Sequence, residues 1–330
     1  MLQVNRPLGL GELLDGAFRI YRARFARLVL IAAIFFVPVG VLSTLLLGAT
    51  VSDFTQILLA AGGEPVNSQY DLGLGALAAY LITGLLGYVA LALTYVSLTG
   101  YVGGLLQGEE LTAGESIRRG LRRLLPFVGM ALLVGLAVSG LVLGLYIVLF
   151  LVVFALTMAL GALGSLGNSG SAAAIGLAII VFVVYMAAIV AVFIPVGLLL
   201  ARWVVAPTAL VVEKLGPVAA LRRSWQLTRG NLWRAFGYLV LLTIFNFIVL
   251  GLPVSVLQWL LVFALTTQWY GWLSGLLVGL SYLLNVLWYP FLVLALVLLY
   301  FDLRVRNESL DLEMRVRALE ESTRPSTLPS

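Results

Sequence analysis

The sequence predicts an all-α integral membrane protein in which six transmembrane helices form three tandem modules, each an interfacial amphipathic helix followed by a transmembrane hairpin. Composition is the first observation behind this. Of 330 residues, 62% are hydrophobic and 11% charged, and the mean hydropathy is +1.09, whereas soluble domains carry about 25% charged residues. The second is that charge is confined to short segments between long uncharged windows. The third is that the basic segments recur at a nearly constant interval. Composition alone excludes a soluble globular chain and a disordered one.

The uncharged windows locate the spans. Leu28–Ser52 and Leu72–Gly108 hold 25 and 37 residues, and Leu124–Ala201 and Ala235–Phe301 hold 78 and 67. A crossing needs about 20 apolar residues at ~1.5 Å each, so the first two windows take one span apiece and the last two take two. The long windows fold back at Gly161–Ser171 (GALGSLGNSGS) and at Thr266–Trp272 (TTQWYGW), where turn-forming or polar residues interrupt the apolar run. Six spans follow, near 28–48, 74–100, 126–158, 173–201, 236–264 and 273–301. The third, at roughly 50 Å of helix, has to tilt, kink or protrude. The first apolar run begins after 27 residues that include Glu12 and Asp15. It is too long for a signal h-region, so the first span is expected to stay in the mature chain.

Charge sets the orientation. All 20 basic residues fall in 1–27, 118–123, 202–234 and 304–324, and the connections 49–71, 159–172 and 265–272 contain none. Basic residues mark the cytoplasmic side, so both termini are expected inside. Asp53, Glu64 and Asp71 lie outside, which leaves a net charge of +8 inside and −3 outside. The sequence pI of 9.6 therefore reports topology. A nucleic-acid partner would need a basic, aromatic-bearing soluble face, and none is expected.

Each basic segment before a hairpin aligns with the others. GELLDGAFRIYRARFARL begins at Gly11, GESIRRGLRRLLPFV at Gly114 and VAALRRSWQLTRGNLWRA at Val218. Leu14, Ile117 and Leu221 correspond, as do Ala17, Gly120 and Ser224, then Phe18, Leu121 and Trp225, at offsets of 103 and 104. Arg22 also matches Arg229, and Arg27 matches Arg234. These are read as three modules, 8–104, 111–201 and 216–301, in one polytopic domain with a cytoplasmic tail over 302–330. An even span count per module makes the copies parallel about an axis along the membrane normal.

The segments are amphipathic. In the first, Leu10, Leu14, Phe18, Tyr21 and Phe25 form a stripe opposite Arg19 and Arg22. In the third, Val218, Leu221, Trp225 and Leu232 oppose Arg222, Arg223, Gln226 and Arg229. Helices of this kind lie in the headgroup plane, and Pro217 suits a first helical turn. Arg22, Arg118, Arg119, Arg122, Arg123, Arg222, Arg223 and Arg229 thus form a candidate collar for anionic lipid headgroups, at ~1 kcal/mol per basic residue near the surface. The plainer reading, that they only fix topology, stays open. In the tail, Leu310, Leu312, Met314 and Val316 alternate with charges and hint at a strand, while the composition equally suits a short helix. Ser322–Ser330 is expected to be disordered.

Chemistry is restricted. With no His and no Cys, there is no imidazole base, thiolate nucleophile, disulfide or His- or Cys-ligated metal. No metal site and no cofactor are expected. The spans hold no ionisable Asp, Glu, Lys or Arg, which argues against carboxylate-based ion coupling. Spacings of 11 and 7 among Asp53, Glu64 and Asp71 match no calcium loop. Some polar and helix-breaking residues do lie at depth: Pro38 in the first span, Asn246, Gly251, Pro253 and Gln258 in the fifth, and Asn285 and Pro290 in the sixth. Asn246, Gln258 and Asn285 form a candidate intramembrane polar site, against the alternative that they merely pack. Trp269, Tyr270 and Trp272 fit an outer aromatic belt, and Trp203, Trp225 and Trp233 an inner one.

RPLGLGELLDGAFRIYRARF at Arg6–Phe25, GPVAALRRSWQLTRGNLWRAFG at Gly216–Gly237 and YFDLRVRNESLDLE at Tyr300–Glu313 resemble the uncharacterised bacterial membrane proteins grouped with the glycerophosphoryl diester phosphodiesterase membrane domain. The resemblance covers nearly the whole chain and implies a bacterial plasma-membrane location. Its motifs are interfacial, and the phosphodiesterase domain fused to some relatives needs catalytic His that this chain lacks, so no such activity is implied. The resulting expectation is a non-enzymatic accessory or scaffold protein that packs with anionic lipid, another membrane protein or itself. The alternative is a carrier or pore for a lipid or other amphiphile, which would need a continuous polar cavity at Asn246, Gln258 and Asn285.

Overall fold

The computed structural model describes residues 8–60, 74–109, 111–165, 171–264 and 269–323, and among these every regular element is helical. Helix α1 (Leu10–Ala23) is the first amphipathic segment. The Glu12 carboxylate accepts the Gly9 N–H at 2.7 Å at its start, occupying a backbone donor that the helix cannot satisfy internally. The first hairpin is α2 (Phe25–Ala60) and α3 (Leu74–Leu106), and the second is α4 (Ala113–Ser165) and α5 (Ser171–Trp203). A short α6 (Ala206–Val212) leads to α7 (Pro217–Thr228), which opens on Pro217 as expected. The last hairpin is α8 (Leu232–Asn246), continued by α9 (Leu252–Leu260), and α10 (Tyr270–Thr323).

Six stretches are long and apolar enough to cross a membrane: Phe25–Ala49, Leu77–Leu106, Ala113–Ala155, Phe193–Val212, Leu232–Phe263 and Tyr270–Glu308. This is a multi-pass membrane protein.

Three features differ from the sequence expectations or sharpen them. The second amphipathic segment is not a separate helix but the first turns of the 53-residue α4. Arg24 separates α1 from α2, and the segment after α7 turns at Gly230, with φ +85°, a conformation that favours glycine and stops a helix. Nothing equivalent stands between Arg123 and Leu124, and Pro126 sits inside α4 without ending it. The tail, open between strand and helix, is helical as far as Thr323. Its first turn is supported by Arg306 on Asp302, Arg304 on Glu308 and Asn307 on the Leu303 carbonyl, all four residues apart. Ser322 and Thr323, expected to be disordered, belong to that helix, and 324–330 lie outside the described residues. The fifth span is broken, with a π turn at Phe247–Gly251 before α9 and a 3₁₀ turn at Leu261–Ala264 after it. Pro253 supplies no N–H and its ring crowds the carbonyl four residues back, so the turn widens ahead of it.

Helix α10 is the axis of the fold. Val293–Leu299 is buried on every side; α2 packs along much of the helix, α1, α6 and α7 meet it toward Asp302, and α3 meets it around Tyr282. An all-round apolar helix is stable only in such a place or in lipid. The third and fifth spans take the other option. Only 6% of their apolar windows is buried, and Leu125, Leu136, Phe150, Trp259 and Phe263 face outward.

Small residues let α2 and α10 meet closely. A Cβ on Gly275 would stand 2.6 Å from the Thr44 carbonyl oxygen and 2.8 Å from the Gly48 nitrogen, and one on Gly279 would overlap the Thr44 hydroxyl. Gly275 and Gly279 are four apart and face Gly40, Thr44 and Gly48, also spaced by four. This small-residue pattern brings backbones together in membranes, where lipid tails offer no hydrophobic drive for association.

The amphipathic segments pack through small faces as well. Leu13, Ala17, Ser116, Gly120, Ala220 and Ser224 are buried, while Phe18, Leu121 and Trp225 stay exposed. The Ser116 hydroxyl donates to the Ser97 carbonyl at 2.8 Å, and Ser224 donates to the Arg202 carbonyl at 2.7 Å. In α1, the Tyr21 hydroxyl donates to the Leu287 carbonyl at 3.0 Å, and Phe18 packs its ring 4.5 Å from that of Phe291.

Candidate functional site

The charged side chains that the structure describes gather at one end of the bundle, where α1, the end of α3, the start of α4, α6, α7 and the middle of α10 lie. There they form two ionic clusters and one cationic cavity.

Arg234 and Asp302 bound the uncharged window of the third hairpin, and they are partners at 3.0 Å. Asp302 is fully buried. It accepts the Leu8 N–H at 2.8 Å, the Arg234 Nε at 3.1 Å and the Arg306 Nε at 3.0 Å. Both guanidiniums also donate to the Leu8 carbonyl. The carboxylate therefore ties the residue before α1 to two later helices. A buried charge is tolerable when it is paired and hydrogen-bonded in this way. Sequence reasoning missed this cluster. The available signal was that Asp302 and Arg306 lie one helical turn apart at the end of an apolar span.

The second cluster joins α6, α7 and α10. Arg223 bonds Glu213 at 2.9 Å and Glu308 at 2.7 Å, and the Tyr300 hydroxyl donates to Glu213. Arg304 also holds Glu308 at 2.8 Å. Burial alone would lower the Arg223 pKa, but the hydrogen bonds it donates to Glu308 and Glu213, with the charge of both carboxylates, outweigh it and raise it. Of the eight collar arginines, Arg223 is thus neutralised within the protein.

The cationic cavity, of about 520 Å³, opens between the last turns of α3, the first turns of α4 and the end of α6. Arg119, Arg122, Arg123 and Lys214 line it together with Glu109. Arg119 pairs with Glu109, and Arg123 donates to the Lys214 carbonyl at 3.1 Å. Lys214 has φ +57°, a left-handed conformation disfavoured for a side chain with Cβ. The spacing of the three arginines, at 119, 122 and 123, places them on one helical face.

Arg22, Arg118, Arg222 and Arg229 are exposed on α1, α4 and α7 and at the end of α7, with no ionic partner among the described residues. The collar therefore divides into free cations, cavity cations and Arg223 in its internal cluster.

The three intramembrane amides are not brought to one cavity. Gln258 lines a cleft of about 190 Å³ with Tyr80, Tyr270, Ser274 and Ser281, at the end of α3 and α10 away from the ionic clusters. Asn285 is outside that lining and donates to the Ser281 carbonyl of its own helix at 2.7 Å. Asn246 ends α8 just before the π turn. An apolar groove of about 430 Å³ lies elsewhere, where α1, α8 and the π turn expose Phe18, Ile244 and Ile248 beside Phe291 of α10.

No curated protein and no solved structure matches this chain. Residues 96–303 match a domain of unknown function, DUF7847, a stretch that takes in the cavity, the Arg223–Glu213 pair and the Arg234–Asp302 pair. That match covers more than half of the sequence, and the chain belongs to the DUF7847 family.

Proposed function

We propose that this chain is a non-enzymatic accessory or scaffold protein of a bacterial plasma membrane, with both termini cytoplasmic, that holds anionic lipids against its cytoplasmic rim and presents its outer spans to lipid or another membrane protein. One observation carries the reading. Arg22, Arg118, Arg122, Arg222 and Arg229 have no ionic partner among the described residues, on segments whose bulky residues Phe18, Leu121 and Trp225 remain exposed. Charge at the headgroups and apolar burial at the acyl boundary then act on the same segments. The Leu8–Asp302 bond favours placing both ends of the chain on one side. The carrier alternative has less support, because the three amides do not share a cleft.

The three-module arrangement belongs to the same proposal. Its support is a common burial register: Leu13, Ser116 and Ala220 are buried, as are Ala17, Gly120 and Ser224, while Phe18, Leu121 and Trp225 are exposed. Within this reading the resemblance to the glycerophosphoryl diester phosphodiesterase membrane domain is one of fold and not of catalysis.

The test is mass spectrometry of lipids retained by the full chain after extraction in mild detergent. The proposal expects phosphatidylglycerol or cardiolipin in excess of their share of the membrane, and retention that falls with salt, as charges at the aqueous boundary are screened within ~8–10 Å. Replacing Arg22 and Arg222 by Gln is expected to reduce that excess more than replacing Arg315 and Arg317. Anionic and zwitterionic lipids retained in membrane proportions would refute the lipid reading.

A further inference from the structure

We infer that the cavity between α3, α4 and α6 is a specific binding site for one phosphate group, carried by an anionic phospholipid headgroup or by a soluble phosphate compound. This rests on the lipid-contacting role above and assigns it a place.

Charge is the first argument. Arg119, Arg122, Arg123 and Lys214 line the cavity against a single carboxylate, Glu109. Glu109 is taken by Arg119, and Arg123 spends one N–H on the Lys214 carbonyl. The side chains of Arg122 and Lys214 have no partner among the described residues. Three guanidiniums on one helical face repel one another, and the net charge of the lining is +3. An anion in the cavity would relieve that repulsion. Phosphate suits it, because guanidinium forks match its oxygens two at a time.

The wall supplies the second argument. Thr99 lines the cavity, is fully buried, and its hydroxyl finds no hydrogen-bond partner. An unpaired buried hydroxyl is costly unless a ligand or water completes it. Gly103 lets α3 approach α6, since a Cβ there would stand 3.0 Å from the Val212 methyl. At about 520 Å³ the space falls within the usual range for small-molecule sites, roughly 300–1,000 Å³.

Position favours the lipid as the source. Arg122 is flanked on α4 by Leu121 and Leu125, which are 49% and 82% exposed. A headgroup seated on the arginines would leave its acyl chains along that apolar face. Basic pockets between spans on the cytoplasmic side are where anionic headgroups bind.

The experiment uses the full chain in zwitterionic detergent. It titrates short-chain phosphatidic acid, phosphatidylglycerol and phosphatidylcholine in one arm, and inorganic phosphate and glycerol 3-phosphate in the other, read by calorimetry. The expected result is saturable binding of one anionic phospholipid per chain. It weakens roughly tenfold or more in the Arg122→Gln/Lys214→Gln double variant, as charge-assisted contacts are lost. Gln107→Trp, which fills the cavity at an exposed position without changing charge, weakens it comparably. Arg19→Gln, exposed on α1 and outside the cavity, leaves it within about twofold. Saturable binding of the soluble phosphates with the same variant pattern supports the site with a soluble source, even where the lipid preference of the collar fails. Anionic lipid binding that is indifferent to Gln107→Trp and equally sensitive to Arg19→Gln would overturn the site while leaving the collar intact. Absence of saturable binding in both arms would overturn it outright.

Discussion

Replacing Asp302 by asparagine keeps the size of a side chain that is fully buried and removes its charge. In the native protein that carboxylate accepts from Leu8, Arg234 and Arg306 at 2.8–3.1 Å. Its two guanidinium partners are only 20% and 24% exposed. In the variant they would face each other across a neutral amide. Hydrogen bonds to charged groups contribute about 1.5–3 kcal/mol each, but these share one acceptor and do not add. Stranding a buried partner costs about 3–5 kcal/mol, and that sets the expected loss for Asp302→Asn. At about 2–4 °C per kcal/mol for larger domains, the midpoint should fall by on the order of 10 °C. The assay heats the full chain in mild detergent and measures the monodisperse fraction by size exclusion. Arg234→Gln combined with Asp302→Asn should lose less than the sum of the singles, because the double variant strands one cation fewer. Raising the salt concentration should change the wild-type midpoint little, since the pair is shielded from solvent. A midpoint for Asp302→Asn within about 2 °C of wild type, or strictly additive losses, would refute the idea that this cluster holds α1, α8 and α10 together.

The α2–α10 seam predicts that Gly279→Leu destabilises the fold by at least about 1–3 kcal/mol, because its Cβ would overlap Thr44 and approach the Gly40 carbonyl at 3.1 Å. Gly140→Ala, which meets nothing within 4 Å, should leave the same thermal midpoint unchanged or slightly raised. In the second ionic cluster, Glu213→Gln removes the negative charge that Arg223 and Tyr300 share and one of its two acceptor oxygens, and should cost more than Glu308→Gln, whose side chain is 44% exposed. The latter should stay below about 1 kcal/mol in denaturant titrations. For topology, the chain has no cysteine, so single cysteines report cleanly. Ser68→Cys and Ser169→Cys should react with an impermeant maleimide in intact cells, and Gly108→Cys should not. External labelling at Gly108 would overturn the inside placement of both termini.

Membrane class, span number and the segments that bear charge were legible because each depends on one residue at a time. A charge at the centre of a span costs about 2.5–3.5 kcal/mol whichever span carries it, so uncharged windows mark spans without knowledge of their neighbours. Local periodicity likewise placed α1 and α7, and Pro217 marked where α7 begins. Pairing is another matter. Leu8 reaches Asp302 across 294 positions, and Arg223 reaches Glu308 across 85. Such contacts exist only once particular spans have become neighbours. That is also why Arg223, one of eight similar arginines in the sequence, is internally neutralised while Arg222 beside it is not. The fit of Gly275 and Gly279 to Thr44 and Gly48 likewise depended on α2 lying against α10. The amides Asn246, Gln258 and Asn285 share an apolar background in sequence. Their side chains part company in the fold because helix rotation and the π turn before Pro253 set where each one points. One-body costs are written in composition, and two-body contacts wait for packing.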